Sequence, residues 1–474
     1  MPPSRRLHVH FVAIAGAGMG SLAGLLKGRG HEVTGSDENV YPPMSTALER
    51  WGIPAAIGFR PENVQAKRPD LVVIGNAVRR ENPEARAVID GGIPYRSFPD
   101  ALYEHAIAGK HSVVIAGTHG KTTTTSIVAT LLLEAGRDPS LLVGGLAENF
   151  GGSFRDGQGP EFVVEGDEYD TAFFDKTPKF LHYHADTLVI TSIEFDHADI
   201  YRDLAHVEGE FAKLVMGLPA AGTLIAASGS ASLDAVAALS PCRVLRYGIE
   251  DGSDVEARRL AAGPEGTRFE LGVRGAGSAP ALLPAWGAYN VANSLAAAAV
   301  CSARGVPLDR IVAGLARFRG VKRRQEVRGE AGGVTVVDDF GHHPTAVRET
   351  LAALRGRFPG RPLVAVFEPR SNTSRRAVFQ REYAEAFDAA ARVVVQIVPD
   401  APIYSAFGGE PEKLSADQLA RDLTAHGTPA VALPDVDAIV EHIATSSVPG
   451  DVVVTLSNGG FGGIWEKLLA RLGG

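Results

Sequence analysis

A glycine-rich turn followed by lysine and threonine is the segment of this chain best suited to chemistry. Gly117-Thr-His-Gly120 leads directly into Lys121 and Thr122. In phosphate-binding loops the main-chain N–H groups and a helix N-terminus face the phosphates, the lysine reaches the β- and γ-oxygens, and the hydroxyl reaches Mg²⁺. This loop is two residues shorter than the usual G-x-x-x-x-G-K-[ST] spacing. The flanking apolar run and helical segment favour a nucleotide site; a plain glycine-rich turn with a surface lysine is the alternative.

Acidic side chains follow two apolar segments downstream of this loop. Phe162-Val-Val-Glu165 continues into Gly-Asp-Glu-Tyr-Asp170, and Thr187-Leu-Val-Ile-Thr-Ser192 continues into Ile-Glu-Phe-Asp196-His197-Ala-Asp199. Because the carboxyl ends of parallel strands meet at one edge of a sheet, both clusters should lie beside the phosphate loop. Carboxylate and imidazole ligands beside a triphosphate favour bound Mg²⁺. Either cluster taken alone would be interpreted as a solvated loop.

A second glycine-rich turn lies near the N-terminus, after the apolar run 8–15. Gly16-Ala-Gly-Met-Gly20 leads into a predicted helix over 21–29, and residues 32–37 supply the next strand. Ser21 stands where a strict dinucleotide fingerprint has glycine, so this βαβ unit predicts a Rossmann-like pyrophosphate cradle without establishing a dinucleotide. Asp37 and Asn76 follow predicted strands, where such sheets present ligand-binding groups. For Asp37, a cap of the next turn is an equal alternative.

The C-terminal third carries three more polar clusters, each after an apolar segment. They are Asp338-Asp-Phe-Gly-His-His-Pro344, Glu368-Pro-Arg370 and the loop Ser457–Gly463. Arg370 suits a carboxylate ligand because a guanidinium pairs with a carboxylate through two hydrogen bonds; a surface salt bridge is the alternative. His343 is a candidate substrate contact, unless it only shapes the turn before Pro344. Upstream, Asn290 and Asn293 share one face of a predicted helix, where capping is the alternative to a ligand role.

The elements around these residues predict an α/β protein with three domains. We expect a Rossmann-like N-terminal domain over 1–108, a central P-loop ATPase-like parallel sheet over 109–319, and a doubly wound, Rossmann-like C-terminal domain over 320–474. Between residues 222 and 284, short apolar runs separated by Gly, Asp and Pro predict a small antiparallel annex to the central domain. The length of 474 residues agrees with about three domains.

Composition excludes several classes of protein. Hydrophobic residues make up 45% of the chain and charged residues 22%, with a formal net charge of −8. Because no long Lys/Arg run offsets that charge, a dedicated nucleic-acid binder is disfavoured. The two cysteines, Cys242 and Cys301, indicate neither a disulfide framework nor a metal cluster. No apolar run approaches the roughly 18 residues of a membrane span. We therefore expect a cytoplasmic protein with no membrane partner, as a monomer or a weak dimer.

Taken together and in this order, the motifs resemble those of the Mur ligase family, the ATP-dependent amide-forming enzymes of peptidoglycan metabolism. The matching segments are Gly117–Thr122, Glu165, Asp196-His197, Asn290-x-x-Asn293, Arg324-x-Glu326 and Asp338–Pro344. Ile14-Ala-Gly-Ala-Gly-Met-Gly20 resembles the UDP-muramyl-binding loop of the same family. The chain departs from the family at Tyr289, where a histidine is frequent. Lys213 lies near a lysine that is carbamylated in some relatives, and we interpret it as a solvated helical lysine.

The resemblance implies ATP and Mg²⁺ as cofactors and roles for individual residues. Those implied to be catalytic are Lys121, Glu165, His197 and Arg324. Those implied to bind ATP are Gly117, Thr118, His119, Gly120, Lys121, Thr122, Thr123, Asn290, Asn293, Arg324 and Asp339. The implied metal ligands are Thr122, Glu165 and His197. Those implied to bind the UDP-muramyl substrate or the incoming peptide are Gly16, Gly18, Met19, Gly20, Asp37, Asn76, His343, Arg370 and Asn372.

Two branches of the family compete. One adds L-alanine to UDP-N-acetylmuramate in de novo synthesis, and the other adds the tripeptide L-alanyl-γ-D-glutamyl-meso-diaminopimelate in murein recycling. The segments 36–46, 194–200, 368–373 and 457–463 resemble the second branch, so we predict a tripeptide ligase with UDP-N-acetylmuramate and murein tripeptide as small-molecule partners. A P-loop binding or regulatory ATPase without ligase activity is the alternative from another class; the N-terminal glycine-rich domain counts against it.

Overall fold

The structure is a computed structural model that describes residues 5–42 and 44–474. The first four residues of the predicted N-terminal domain, and Pro43, therefore lie outside the described residues. The chain forms three large sheets in sequence, and helices cover their faces. The α/β class and its three sheet-centred units are thus as predicted, whereas the residue boundaries 1–108, 109–319 and 320–474 stay a prediction.

The N-terminal sheet has five parallel strands in the order β3-β2-β1-β4-β5, which is the Rossmann strand order without its sixth strand. Its strands are β1 His8–Val12, β2 Glu32–Asp37, β3 Ala55–Ile57, β4 Leu71–Ile74 and β5 Tyr95–Ser97. Its helices are α1 Ala17–Gly28, α2 Met44–Arg50, α3 Glu62–Gln65, α4 Pro83–Asp90 and α5 Phe98–Leu102. A π-helical turn over Tyr103–Ile107 leads to the central unit.

The central unit is built on one ten-stranded sheet in the order β17-β16-β15-β14-β13-β12-β6-β9-β7-β8. Its strands are β6 His111–Ala116, β7 Ser140–Ala147, β8 Gly152–Arg155, β9 Glu161–Glu165, β12 Thr187–Ile190, β13 Thr223–Ala227, β14 Arg243–Ile249, β15 Val255–Gly263, β16 Gly266–Val273 and β17 Gly277–Leu283; β10 Asp170–Ala172 and β11 Asp175–Pro178 form a separate hairpin. The helices are α6 Lys121–Glu134, α7 Leu204–Met216, α8 Ala231–Ala237, α9 Ala288–Ala303 and α10 Leu308–Leu315.

The predicted antiparallel annex is only partly antiparallel. The segments at Thr223 and Arg243 become β13 and β14, which pair in parallel with the main sheet. Only β15, β16 and β17 alternate in direction, and they extend the same sheet at its edge. Short runs separated by turn residues looked like hairpins because α8, seven residues long, is too short to leave a clear helical period between β13 and β14.

The C-terminal sheet has six strands in the order β18-β19-β23-β20-β21-β22, with β18 antiparallel and the rest parallel. The strands are β18 Glu326–Ala331, β19 Val334–Asp339, β20 Leu363–Phe367, β21 Arg392–Gln396, β22 Ala430–Leu433 and β23 Val452–Leu456. The helices are α11 Pro344–Arg357, α12 Gln380–Ala386, α13 Ala416–Ala425, α14 Val436–Ser446 and α15 Ile464–Gly473.

Buried apolar strands explain why the three sheets form. All residues of β4, β12, β20 and β23 are buried, as expected for parallel strands covered on both faces. α6 is buried for eleven of its fourteen residues, because it is enclosed by the central sheet and by α9 and α10. That enclosure fixes the position of the helix whose first residue is Lys121.

Polar contacts join the N-terminal unit to the central unit. The hydroxyls of Ser21 and Ser153 lie 2.6 Å apart, and Arg29 Nε donates to Asp156 Oδ2 at 2.9 Å. His182 Nδ1 lies 2.8 Å from Asp100 Oδ1. These contacts hold α1 and α5 against the central unit. The N-terminus of α1 carries the glycine-rich segment 16–20. Within the described ranges, no helix combines the length and the apolar character that crossing a membrane requires.

Candidate functional site

The phosphate-loop segment lies in a narrow space between β12 and α9. At Gly117 a side-chain Cβ would lie 2.1 Å from Thr191 Oγ1, and at Gly120 it would lie 2.4 Å from Asn293 Oδ1. Both residues also have positive φ, +126° and +79°. Glycine is therefore required at each position for space and for backbone conformation. The shortened loop is a tight turn from β6 into the N-terminus of α6.

Thr118 and His119 attach the loop to the segment after β12. Thr118 N donates to Ser192 O at 3.0 Å, and His119 N donates to Ser192 Oγ at 3.0 Å. Glu194 N donates to Thr118 Oγ1 at 2.9 Å. The loop is thereby held to the acidic segment that the sequence placed at the same edge of the sheet.

Lys121 is almost enclosed, and its charge is paired. Its Nζ lies 2.8 Å from Glu168 Oε2 and donates to Gly117 O at 2.7 Å. Burial opposes the charged form, but Glu168, Asp167 and the hydrogen bond to Glu168 outweigh burial and raise the pKa of Lys121. The lysine is therefore a fixed cation at the start of α6, where a helix N-terminus already favours anions.

Thr122 and Glu165 lie together at the ends of two neighbouring elements. Thr122 Oγ1 donates to Glu165 Oε1 at 3.0 Å, and Gly144 N donates to Glu165 Oε2 at 2.8 Å. Burial raises the pKa of Glu165, although the charge of Lys121 acts in the opposite direction. Thr123, the next residue, is buried in the first turn of α6. A hydroxyl and a carboxylate oxygen therefore lie within 3.0 Å of each other beside the lysine.

His197 lies on the other side of Lys121's carboxylate partner. Its Nε2 is 2.9 Å from Glu168 Oε1, and its backbone has a φ of +53°. Burial opposes protonation of the imidazole, but Asp196 and Glu168 outweigh burial and raise the pKa of His197 to about 9. A histidine with the ordinary pKa near 6.5 would be mostly neutral at pH 7, whereas this raised pKa favours the protonated imidazolium there.

Glu168 is the central residue that sequence reasoning missed. Its carboxylate contacts both Lys121 and His197, and it is 3% exposed. Burial opposes ionisation, but Lys121 and His197 outweigh burial and lower the pKa of Glu168. The sequence marked the acidic cluster 165–170 but could not say which carboxylate turns inward, because the segment after β9 has no periodicity.

The two asparagines of α9 do not cap the helix. The N-cap is Gly287, which offers no side chain. Asn293 Oδ1 instead accepts from Thr124 Oγ1 at 3.2 Å, and Asn290 Nδ2 donates to Trp286 O at 2.8 Å. The capping alternative is therefore wrong, and the predicted shared face of α9 lies against the phosphate loop.

Arg324 and Asp339 lie close to each other in the C-terminal unit. Asp339 is 2% exposed; it accepts from Gln325 N and from Gly341 N, each at 2.8 Å. Burial raises the pKa of Asp339, while Arg324 acts in the opposite direction. The Arg324 guanidinium lies 4.8 Å from the Phe340 ring centroid. Gln325 Nε2 also donates to Trp286 O at 3.3 Å, which brings this pair towards the start of α9.

His343 joins the C-terminal unit to the phosphate loop. Its ring is 4.7 Å from that of His119, and its Nε2 lies 3.1 Å from Phe195 O. It is also the N-cap of α11, accepting from Thr345 N at 3.3 Å. It therefore does shape the turn, and it contacts the central unit as well. Burial, with His119 as a smaller cause, lowers the pKa of His343 to about 4, so the ring is neutral at pH 7.

Glu194 completes this junction. It accepts from Thr345 Oγ1 at 2.7 Å and lies 3.4 Å from His119 Nε2. Burial opposes its ionisation, but His119, Thr345 and His343 outweigh burial and lower the pKa of Glu194 to about 2. One ligand atom each from His119, Glu194 and His343 lies within 4.8 Å of the other two. The junction was not predicted, because it depends on how two domains pack.

Arg370 and Asn372 follow β20. The Arg370 side chain is exposed and crosses the loop after β23, where a Cβ at Gly459 would lie 1.6 Å from its Nη1. Asn372 Nδ2 donates to Asp199 Oδ2 at 3.1 Å, which links β20's loop to the segment that carries His197. Lys213 is 59% exposed and pairs with Glu210 on α7, as expected for a solvated helical lysine.

The N-terminal candidates lie at the carboxyl ends of β1, β2 and β4. Gly16 is the N-cap of α1, and Gly18, Met19 and Gly20 lie inside its first turns, where the sequence predicted a loop. Gly20 is tightly packed, since a Cβ there would lie 2.2 Å from Met44 Sδ.

The two polar candidates of that edge differ in their surroundings. Asp37 accepts from Ala15 N at 2.9 Å and from Asn39 N at 3.4 Å, so it holds the turn after β1 as well as its own. Asn76 is exposed just after β4.

This geometry defines a class of protein: a three-domain α/β enzyme with a phosphate loop, a buried lysine and adjacent hydroxyl, carboxylate and imidazole groups. Three domain families match the chain: "Mur ligase family, catalytic domain" over residues 8–110, "Mur ligase middle domain" over 115–301 and "Mur ligase, glutamate ligase domain" over 323–459. The chain belongs to the Mur ligase family.

Full-length relatives refine the comparison. The chain is 38% identical over 467 residues, 98% of each chain, to the UDP-N-acetylmuramate–L-alanyl-γ-D-glutamyl-meso-2,6-diaminoheptandioate ligase of Escherichia coli strain K12. It is 34% identical, again over 98% of each chain, to the UDP-N-acetylmuramate–L-alanine ligase of Geotalea uraniireducens. The crystal structure of a murein peptide ligase from Psychrobacter arcticus superposes with a TM-score of 0.74 at 34% identity, covering 98% of this chain and 99% of that one.

Proposed function

We propose that this protein is an ATP-dependent ligase that joins L-alanyl-γ-D-glutamyl-meso-diaminopimelate to UDP-N-acetylmuramate in murein recycling. The observation that carries the proposal is the 38% identity, over 98% of each chain, to a relative named for that reaction. The alternative, a UDP-N-acetylmuramate–L-alanine ligase, is supported by relatives of equal coverage but lower identity, 34% for the one described above. A cytoplasmic location and a monomeric or weakly dimeric state belong to this proposal too.

ATP binding is proposed for the turn between β6 and α6. The loop Gly117–Thr123 would present main-chain N–H groups to the phosphates, and Lys121 would neutralise the β- and γ-phosphates. Lys121 pairs with the carboxylate of Glu168 in the structure. On binding ATP, phosphate oxygens would have to replace that carboxylate as the anionic partner of the lysine. Asn290 and Asn293 are proposed for the adenine side, Arg324 for phosphate oxygens and Asp339 for the ribose.

The residues beside Lys121 fit Mg²⁺. Thr122 and Glu165 offer hard oxygen ligands 3.0 Å apart, and His197 offers an imidazole on the same sheet edge. Asp167 and Glu168 act electrostatically on Lys121, and Asp196 and Glu168 act on His197, so acidic groups adjoin the proposed ligands. When bound, Mg²⁺ would neutralise phosphate charge and align the reacting groups. His197 must lose its proton to act as a ligand. The bound cation would then replace the charge of the imidazolium beside Asp196 and Glu168.

The proposed chemistry has two steps. The lactyl carboxylate of the muramyl substrate attacks the γ-phosphorus, which gives an acyl phosphate and ADP. The peptide amine then attacks the acyl carbon, and inorganic phosphate leaves as the amide forms. Phosphoryl transfer depends mainly on alignment and charge stabilisation, which Lys121 and Arg324 would supply. Packing of the C-terminal unit against the phosphate loop through His343 would exclude water from the acyl phosphate.

Substrate binding is proposed at the two outer sheets. The UDP-muramyl substrate would lie at the carboxyl ends of β1, β2 and β4, on Gly16, Gly18, Met19, Gly20, Asp37 and Asn76. The peptide would lie beside β20, on His343, Arg370 and Asn372. In this proposal each of the two reacting substrates is held by a different outer sheet. The domain boundaries at 108/109 and 319/320 belong to the same proposal.

The ligase activity is tested by measuring whether ATP turnover requires both of the other substrates. ADP release is measured with the full-length protein and ATP–Mg²⁺, with UDP-N-acetylmuramate and the tripeptide added singly and together. We expect fast release only with both, together with one amide product per ADP. Release that needs neither would show a regulatory or binding ATPase and would contradict the ligase proposal.

A further inference from the structure

A cleft with a volume of about 860 Å³ separates the loop after β12 from the C-terminal unit. Tyr201 and Arg202 line the first side, and Arg376, Phe407 and Glu410 line the second. The first side belongs to the same loop as His197, and Tyr201 OH donates to Glu168 O at 2.7 Å. The cleft therefore begins beside the proposed reaction centre and extends away from it.

One part of the cleft is positively charged. Arg376 Nε donates to Asn372 O at 3.0 Å and its Nη2 donates to Tyr404 O at 2.6 Å, and the carboxylate of Asp199 acts on its charge. The Arg202 guanidinium lies 5.2 Å from the Phe407 ring centroid, a contact that orients it without neutralising its charge. The exposed Arg202 guanidinium thus offers carboxylate binding.

Another part of the cleft is negatively charged. Glu410 is 69% exposed, and its one close cation is Lys413, at 3.7 Å. Glu412, two residues further on, is exposed and holds its segment in place by its main chain, since Glu412 O accepts from Ala377 N at 2.9 Å. Groups of both signs within one cleft suit a ligand that carries both an ammonium and a carboxylate.

We propose that this cleft binds the distal end of the peptide, the free amino-acid group of the meso-diaminopimelyl residue, with Arg202 meeting its carboxylate and Glu410 its ammonium. The inference rests on the proposed function and deepens it by naming residues that select the peptide. A volume of 860 Å³ is within the roughly 300–1,000 Å³ of sites that hold drug-sized ligands. L-Alanine has no distal charges and would leave the cleft empty.

Substitutions of exposed residues test this inference without disturbing the fold. Arg202→Met removes the carboxylate partner, and Glu410→Gln removes the ammonium partner. The matched control is Arg268→Met, at an exposed arginine of β16, the strand next to the edge strand β17 of the central sheet. Each full-length variant is assayed with the diaminopimelyl tripeptide and with L-alanyl-γ-D-glutamyl-L-lysine, which lacks the distal carboxylate.

We expect Arg202→Met to raise the KM for the diaminopimelyl tripeptide about tenfold, with kcat and the KM for ATP unchanged, because it removes uniform binding. The same variant should leave the KM for the lysine peptide unchanged, whereas Glu410→Gln should raise the KM for both peptides. Arg268→Met should change nothing.

An unchanged KM for the diaminopimelyl tripeptide in Arg202→Met would overturn the inference while leaving the ligase proposal intact. Equal increases for both peptides would also overturn it, because Arg202 would then not meet the distal carboxylate. Absence of amide product from the unsubstituted protein with the tripeptide would instead contradict the proposed function itself, and this inference with it.

Discussion

At the scale of single residues, the arrangement around Lys121 shows how the fold balances charges that lie close together. Glu168 contacts Lys121 Nζ and His197 Nε2, at 2.8 and 2.9 Å. A buried carboxylate between a lysine and an imidazolium balances two cations that would otherwise be costly to bury. In the proposed reaction, phosphate oxygens would have to replace Glu168 as the partner of Lys121. The fold itself holds the lysine in place, as a preorganised electrostatic site requires.

Replacing the lysine that is proposed to bind phosphate should stop catalysis without affecting the binding of UDP-N-acetylmuramate. Lys121→Ala should lower tripeptide-dependent ADP release by at least about 10²–10³-fold, because a preorganised cation at the phosphates is lost. Binding of UDP-N-acetylmuramate, followed by calorimetry, should stay within about twofold, since its proposed residues lie on the N-terminal sheet. Lys213→Ala, at an exposed lysine of α7, is the control and should be fully active. Retained turnover in Lys121→Ala would disprove the assignment of the loop.

Removing the charge of Glu168 should change the titration of His197. Glu168 is one of two acidic groups that raise the pKa of His197 to about 9, so Glu168→Gln should move that pKa downwards, towards the ordinary histidine value. NMR titration of the His197 ring protons in the metal-free protein measures the shift. Glu49→Gln, at an exposed glutamate of α2, should leave the titration unchanged. An unmoved pKa in Glu168→Gln would contradict the contact.

Sequence reasoning reached some of these residues and not others, for physical reasons. Lys121, Thr122 and Glu165 were predicted as neighbours because each directly follows or ends a strand of one parallel sheet, and the structure places Thr122 and Glu165 in contact. Glu168 was missed because its direction depends on a loop without periodicity. The raised pKa of His197 was missed because it depends on Asp196 and Glu168 together, two carboxylates that the fold buries beside a half-buried imidazole.

At the scale of elements, the turn from β6 into α6 is constrained by its neighbours on both sides. Gly117 abuts β12's end and Gly120 abuts α9. The loop is two residues shorter than the usual phosphate loop, in keeping with the little space between these neighbours. The helix α6, enclosed between sheet and helices, then holds Lys121 and Thr122 in fixed directions. Such rigidity suits a site that must align a phosphate.

Alanine at the two glycines that flank α6 should separate backbone strain from crowding. Gly120 and Gly136 have nearly equal φ, +79° and +77°, but of the two only Gly120 has atoms within 4 Å of its Cβ position, the nearest being Asn293 Oδ1 at 2.4 Å. Gly136→Ala should lower the unfolding free energy by about 1–2 kcal/mol through left-handed strain, and Gly120→Ala should lower it further because of the clash. Only Gly120→Ala should also raise the KM for ATP, by tenfold or more. Equal KM values for the two variants would show that the contact with Asn293 is unimportant.

The junction at the start of α11 should make stability depend on pH. The folded-state pKa of His343 is about 4, below its ordinary value near 6.5. Its neutral form is thus favoured by folding, and this stabilisation is full above about pH 6.5 and is lost as the pH falls towards 4. At pH 5 the loss is about 2 kcal/mol. His343→Asn keeps an N-cap but does not titrate.

Thermal melting at pH 7 and pH 5 measures this effect. The drop in melting temperature between the two pH values should be smaller in His343→Asn than in the unsubstituted protein. His426→Asn, at an exposed histidine that caps the C-terminus of α13, is the control and should retain the full drop. An equal drop in the unsubstituted protein and His343→Asn would contradict the burial of a neutral imidazole at this junction.

At the scale of the whole molecule, the order of the strands in each sheet determines which polar segments lie side by side. In the central sheet β12, β6 and β9 are adjacent, so the phosphate loop lies between the two acidic segments. In the C-terminal sheet β19, β23 and β20 are adjacent, so Asp339, the loop 457–463 and Arg370 share one edge. Because these neighbouring strands are parallel, their carboxyl ends meet at one edge of each sheet, and local patterns could therefore predict the edge on which each cluster lies.

Packing between the units was beyond sequence reasoning. The contact of Asn372 with Asp199 and of Thr345 with Glu194 joins residues 173 and 151 positions apart, and no local pattern connects them. The parallel pairing of β13 and β14 was likewise missed, since it depends on a short intervening helix. Local sequence patterns were therefore enough to predict the three sheets. The contacts between the units could not be predicted, because they depend on how the folded units pack.

The identity of the amine that is joined to UDP-N-acetylmuramate tests the central claim most directly. The full-length protein, with ATP–Mg²⁺ and UDP-N-acetylmuramate, is offered L-alanine and L-alanyl-γ-D-glutamyl-meso-diaminopimelate in separate reactions, and amide product is quantified by mass spectrometry. We predict product with the tripeptide and at least about a hundredfold lower kcat/KM with L-alanine, equal to nearly 3 kcal/mol of discrimination. Product with L-alanine alone would contradict the account and identify the L-alanine-adding branch of the family.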